Sequence, residues 1–194
     1  MSDRINTRGK VLKPFLLGVL TVMVVQVIGV VIVVMMGLIP ANADARPSRL
    51  EARLAGLVRE AYVTRAVQTT DVTVNPTEAN LSDGAKFYKD NCMGCHGGPE
   101  GTYRTFGRAL YPSAPRFAEK GTDLSDAEFY WTTQHGLRWT GMPSFGGEAM
   151  DRGGNKLGPM MKPDEMRKIN AFVHNIQSLP PAVDAEWKKK SPAP

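Results

Sequence analysis

The first strong signal along the chain is a single block of apolar positions. Phe15 to Ile39 carries no charge, and Thr21 and Gln26 are its only clearly polar side chains. About 20 apolar residues cross the hydrocarbon core of a bilayer, so the block predicts one N-terminal transmembrane helix. Ala41-Asn42-Ala43 is the small-residue pattern of a leader cleavage site, but a leader's apolar region is only about 7–15 residues. Length favours a retained anchor. Downstream the pattern changes to helical spacing. Ser48-Arg49-Leu50-Glu51 is a capping box, followed by Leu50, Leu54, Leu57, Val58 and Tyr62, which predicts a short amphipathic helix to about Ala66. Its expected role is a stalk, or packing against the domain or the membrane surface. Thr69 to Asn80 is polar, contains Pro76 and reads as a linker.

A compact unit of residues 81–180 follows. Its expected helices run from Ser82 or Asp83 to about Cys92, within Thr122 to Gln134 with Ser125 as N-cap, and from Asp164 to about Ser178. Pro163 and two acids mark the start of the last helix, and Pro180-Pro181 its end. No alternating strand pattern and no repeat is present, so the fold class is all-α. The segments are 1–14 as an N-terminus on the cytoplasmic side, 15–39 as the anchor, 40–80 as helix and linker, 81–180 as the domain and 181–194 as a C-terminal tail. A few short helices in a unit this small bury a marginal core and require a staple, a metal or a large apolar prosthetic group.

Charge changes the picture in one respect. The 194 residues include 24 Lys+Arg and 19 Asp+Glu, a net charge of +5. The excess lies at the ends, in Arg4, Arg8, Lys10 and Lys13 and in Lys188, Lys189 and Lys190. From Thr77 to Trp187 there are 14 acids and 12 bases, which argues against a nucleic-acid partner. The four N-terminal bases are denser and nearer the apolar block than Arg46, Arg49, Arg53 and Arg59 beyond it, which favours the N-terminus inside.

The candidate chemistry is Cys92-Met93-Gly94-Cys95-His96, the C-x-x-C-H attachment signature of haem c. Two thiols about one helical turn apart form thioethers to the two vinyl groups, and the adjacent histidine ligates the iron. A redox dithiol would accompany a βαβ pattern, which is lacking, and a zinc site would need further ligands in compact pairs. Two cysteines are too few for an iron–sulfur cluster or a disulfide scaffold. Among ten methionines, Met142 stands out in Gly141-Met142-Pro143 as the sixth ligand. Glycine permits close approach to the ring, and proline fixes the loop. Met150, Met160 and Met161 in the following loop are rivals. His135 is another and would give a bis-histidine haem of lower potential. Arg138, Trp139 and Arg116 are candidates for bonding the propionates, against a plainer reading as solvated arginines and a core tryptophan.

In these residues the region from Leu81 to Leu179 resembles a bacterial class I c-type cytochrome. It is most similar to the single-haem domains of respiratory oxidases. Gly84 and Tyr88 precede C-x-x-C-H as in that family's first helix. His135-Gly136-Leu137-Arg138-Trp139-Thr140-Gly141-Met142-Pro143 is the most specific further match, and Ile169, Phe172 and Val173 fit the terminal helix. The resemblance implies a fold wrapped around one covalent haem, with the terminal helix crossing the first at Gly84. It implies that a proline carbonyl of Tyr111-Pro112-Ser113-Ala114-Pro115 accepts the proximal histidine's N–H. Pro115 is the first choice and Pro112 the alternative. The loop from Gly146 to Met161 is longer than the family usually has.

The resemblance also implies haem attachment outside the cytoplasm, hence a domain facing the periplasm from the bacterial inner membrane. With His96 and Met142 both on the iron no coordination position is open, which suits one-electron transfer and disfavours catalysis. The expected function is a membrane-anchored carrier between a quinol-oxidising donor and a terminal oxidase. A fixed haem subunit of a larger membrane oxidoreductase is the alternative. A haem enzyme or gas sensor with a labile sixth ligand ranks last.

Overall fold

A computed structural model describes residues 3–39, 42, 47–67, 72, 74–99, 105–147 and 153–189. Ala41, Ala43, Arg46, Thr69, Met150 and Lys190 lie outside them. Among the described residues there are helices and no β-strand. The chain divides into two units, Met1–Ala45 and Arg46–Pro194.

The first unit is one helix, α1 (Asp3–Met35). Its apolar part, Leu12–Met35, is 24 residues long and none of it is buried in the protein. At 1.5 Å per residue that part is roughly 36 Å long, enough to cross a bilayer core. The helix starts well before the predicted anchor, because the basic N-terminal residues continue the same hydrogen-bonded spiral. It also stops sooner, at Met35. Gly37 takes φ +66, and its N–H and that of Leu38 turn back to the carbonyls of Val34 and Val33. That left-handed glycine ends the helix.

The second unit begins with α2 (Arg49–Ala66), whose predicted capping box is present: Ser48 Oγ accepts from the Glu51 N–H and Glu51 returns to the Ser48 N–H. α3 (Glu78–Asn91) starts earlier than predicted, because Thr77 caps it by accepting the Asn80 N–H at 3.3 Å. The short helices α4 (Met93–His96), α5 (Thr105–Ala109) and α6 (Phe117–Lys120) line the middle of the unit. α7 (Asp126–His135) has the predicted Ser125–Glu128 capping box, and α8 (Pro163–Asn175) starts at its proline. α9 (Pro181–Lys188) corrects the expectation of a tail over 181–194. Pro181 sits at its N1, where a proline's fixed φ starts a helix as well as ending the previous one.

The core forms where α3 crosses α8. A Cβ on Gly84 would run into the Lys168 carbonyl oxygen and approach Phe172 Cβ at 2.8 Å, so the crossing closes only on glycine. Tyr88, Phe172 and Trp187 pack ring to ring beside it, with centroids 5.1–5.6 Å apart. α9 is fastened there as well: Lys89 Nζ donates to the carbonyls of Glu186 and Lys189 at its C-terminal end. α2 docks on α7. Val63 is buried, the Tyr62 ring meets Trp131 edge-on at 5.7 Å, and the Tyr111 hydroxyl donates to Glu51 at 2.8 Å.

The glycines of α2 and α3 should respond to alanine with opposite signs. Alanine is favoured over glycine in a helix by about 1 kcal/mol. At Gly56, where an added Cβ meets nothing within 4 Å, Gly56→Ala should stabilise by roughly that amount. At Gly84 the obstacle is backbone that cannot rotate away, and overpacking of that kind costs about 3 kcal/mol. Gly84→Ala should therefore be destabilising by about 2 kcal/mol net. Thermal unfolding of both variants checks the pair; two shifts of the same sign would contradict it.

Candidate functional site

The site is built at the end of α3. Cys92 closes that helix, its N–H bonding Tyr88 O at 2.8 Å, and opens the single turn of α4. Cys95 and His96 both return their N–H groups to Cys92 O, at 3.1 and 2.9 Å. Gly97, at φ +81, ends the turn. The local fold thus puts Cys92, Cys95 and His96 on one short coil. Both thiols are free; Cys92 is buried and Cys95 partly so. Burial, then the neighbouring Cys95, pushes the Cys92 thiol up to about 12. A disulfide-exchange cysteine needs the opposite shift, which argues against that chemistry.

His96 is buried at 9% exposure and lies flat against Phe117, centroids 4.6 Å apart. Its Nδ1–H donates to the carbonyl of Pro115 at 2.9 Å. A carbonyl can only accept, so the proton is on Nδ1 and the lone pair on Nε2. This is how a metal-ligating histidine is oriented. Burial lowers its basicity and the Pro115 bond opposes that, weakly. The partner is Pro115, the first choice above, rather than Pro112. Gly107 of α5, which sequence reasoning missed, supports the turn from the other side, because a Cβ there would strike the Cys95 carbonyl. A lone glycine in a short helix gives no local sign of that role.

The Met142 loop folds back on the end of α7. Gly136 takes φ +68, and a Cβ on it would lie 2.7–2.8 Å from the backbone of Met142 and Pro143. Leu137 N–H donates to Met142 O at 3.2 Å, and Met142 N–H to Thr140 Oγ1 at 3.1 Å. Farther on, Phe145, Gly146 and Gly147 bond the carbonyls of Thr133 and Gln134. Met142 is half-buried, and its side chain packs on the apolar cluster that contains Cys92, Phe117 and Phe145. Of its rivals, Met161 is 4% exposed within that cluster, Met160 is 59% exposed, and His135 is exposed and lies on Trp131 at 4.7 Å. Arg138 is exposed, and so is Trp139, at φ +59. Arg116 pairs with Glu119 at 2.7 Å.

The structure thus brings Cys92, Cys95, His96 and Pro115 into one turn and its brace, and sets Met142 on the same apolar cluster. Two reduced thiols, an imidazole with Nε2 presented, a thioether and aromatic walls are a donor set that fits covalent haem. The family model for cytochrome c oxidase, cbb3-type, subunit III matches residues 79–157. Neither the curated proteins nor the solved structures contain a match. The matched stretch, with the C-x-x-C-H turn it contains, supports a c-type cytochrome domain as in the subunits of cbb3-type oxidases.

Proposed function

We propose that this protein is a membrane-anchored cytochrome with one haem that passes single electrons between membrane redox complexes. Cys92 and Cys95 supply the thioether bonds. His96 Nε2 and the Met142 sulfur would ligate the iron, and Arg138 would bond a propionate. When bound, the haem supplies one reversibly exchanged electron. The chain's own residues do the rest. Pro115 holds the His96 proton on Nδ1 and so leaves the Nε2 lone pair free for the iron. The Gly136–Pro143 contact fixes the Met142 loop against α7. Phe117 and Phe145 keep water from the buried side. The observation that carries the reading is the His96 Nδ1–Pro115 hydrogen bond inside a C-x-x-C-H turn.

α1 is the single-pass anchor, with the N-terminus in the cytoplasm and the haem domain on the periplasmic face of the bacterial inner membrane. Confinement to the membrane raises its effective concentration near a quinol-oxidising donor and a terminal oxidase acceptor. A second reading, a fixed subunit of a larger oxidoreductase, is favoured by the matched family's description as an oxidase subunit. Copurification with partner subunits at fixed ratio separates it from a free carrier.

The test is the full-length protein in detergent. The expected results are the mass of one haem retained under denaturing conditions, a c-type redox difference spectrum, and no binding of carbon monoxide by the ferrous form. Colourless protein at polypeptide mass would overturn the reading. Met142→Ala should abolish the sulfur-to-iron charge-transfer band and lower the reduction potential, as expected when a thioether ligand is lost. A band that survives in this variant assigns the ligand elsewhere.

A further inference from the structure

α2 has two faces, and the domain uses only one. Val63 is buried and Gly56 half-buried on the inner side. Leu50, Leu54, Leu57 and Val58 recur at i, i+4, i+7 and i+8, hence on one stripe, and are 66%, 53%, 63% and 57% exposed. A contiguous apolar stripe of this kind marks a surface that something covers. Four aliphatic side chains fall well short of the roughly 20–30 residues per side that a stable protein interface recruits.

The chain itself indicates the cover. Only residues 40–48 separate the end of the apolar block at Ile39 from the first residue of α2. Fully extended, those residues reach no farther than about 30 Å, so the tether is short. The helix carries Arg49, Arg53, Arg59 and Arg65 against Glu51 and Glu60. An apolar stripe on a helix with excess arginine is how an in-plane helix meets lipid, its guanidinium groups reaching the headgroups.

We propose that the outer face of α2 lies in the bilayer surface and so fixes the orientation of the haem domain. α2 is fastened to that domain through buried Val63 and, at the flank of the stripe, through Tyr62 on Trp131 and Glu51 on Tyr111. Tyr111 is four residues from Pro115, which braces His96. Membrane contact along α2 therefore holds one face of the domain at a constant angle for a partner in the same membrane. This rests on α1 being the anchor.

The test uses the full-length haem-loaded protein in vesicles containing anionic phospholipid. Nitroxides are placed through Val24→Cys in α1, Leu54→Cys on the stripe and Glu78→Cys at the start of α3. Collision with oxygen, which dissolves in lipid, is compared with collision with a water-soluble nickel chelate. The expected result is an oxygen preference at Val24 and Leu54 and a nickel preference at Glu78. Oxygen preference at Val24 with nickel preference at Leu54 overturns the proposal and leaves the anchor standing. Low access to both reagents at Leu54, with spin–spin broadening, overturns it in favour of a second copy of the chain. Nickel preference at Val24 overturns the anchor reading, and the proposal with it.

Discussion

The double variant Cys92→Ser, Cys95→Ser is expected to carry no covalent haem, with a mass under denaturing conditions equal to that of the polypeptide. The cause is chemical. A serine hydroxyl forms no thioether, and without one His96 must hold a dissociable group alone. The cost extends to folding. The second unit is built from helices of which three, α4, α5 and α6, are four or five residues long. Pieces of that length have no stability of their own in water and persist only through what they pack against. Cys92, Phe117 and Phe145 belong to the main core cluster, so loss of the group they would face removes packing at its centre. The domain should lose most of its resistance to proteolysis together with its colour. Single variants should fare better, since one thioether still tethers the group. Mass spectrometry of denatured protein reads the first effect and limited proteolysis the second. A double variant that keeps haem mass after denaturation would show that attachment occurs elsewhere.

Local signals were readable in the sequence, and long-range ones were not. The capping boxes at Ser48 and Ser125 stand where expected, because each needs only an oxygen and a glutamate three residues apart. The turn from Cys92 to His96 was readable for the same reason. Thr77 is inconspicuous as a helix start because Pro76 beside it reads as linker, although proline just outside a helix is compatible with a cap. α5 and α6 are too short to show periodicity. Met142 and Met161 lie in one glycine-rich stretch and look alike in sequence. Only the fold shows Met161 at 4% exposure in the core and Met142 half-buried at its edge. Gly84 was legible as a close crossing only through the resemblance to class I cytochromes.

Trp187 is the residue whose importance the sequence hid most fully, and Trp187→Ala should be the most destabilising substitution away from the haem turn. In sequence it stands between a double proline and a run of lysines, which reads as a tail. In the structure it is 4% exposed, its ring centroid 5.6 Å from Tyr88 and 5.1 Å from Phe172, with Lys89 Nζ 5.5 Å from it. Truncating a buried tryptophan costs about 3–5 kcal/mol, and lost aromatic pairing contributes to that sum. A domain's total stability is only about 5–15 kcal/mol, so a fifth or more would disappear. For a chain of this size the loss corresponds to a midpoint lower by roughly 6–20 °C. The loss should exceed that of Lys89→Met, which removes only the half-buried cation and its bonds to the end of α9. Trp187→Phe should recover much of the deficit, because a smaller ring still fills most of the site between Tyr88 and Phe172. Thermal unfolding of the haem-loaded protein, followed by far-ultraviolet circular dichroism, makes the comparison. A shift under about 2 °C for Trp187→Ala would mean that α9 is an appendage rather than part of the core.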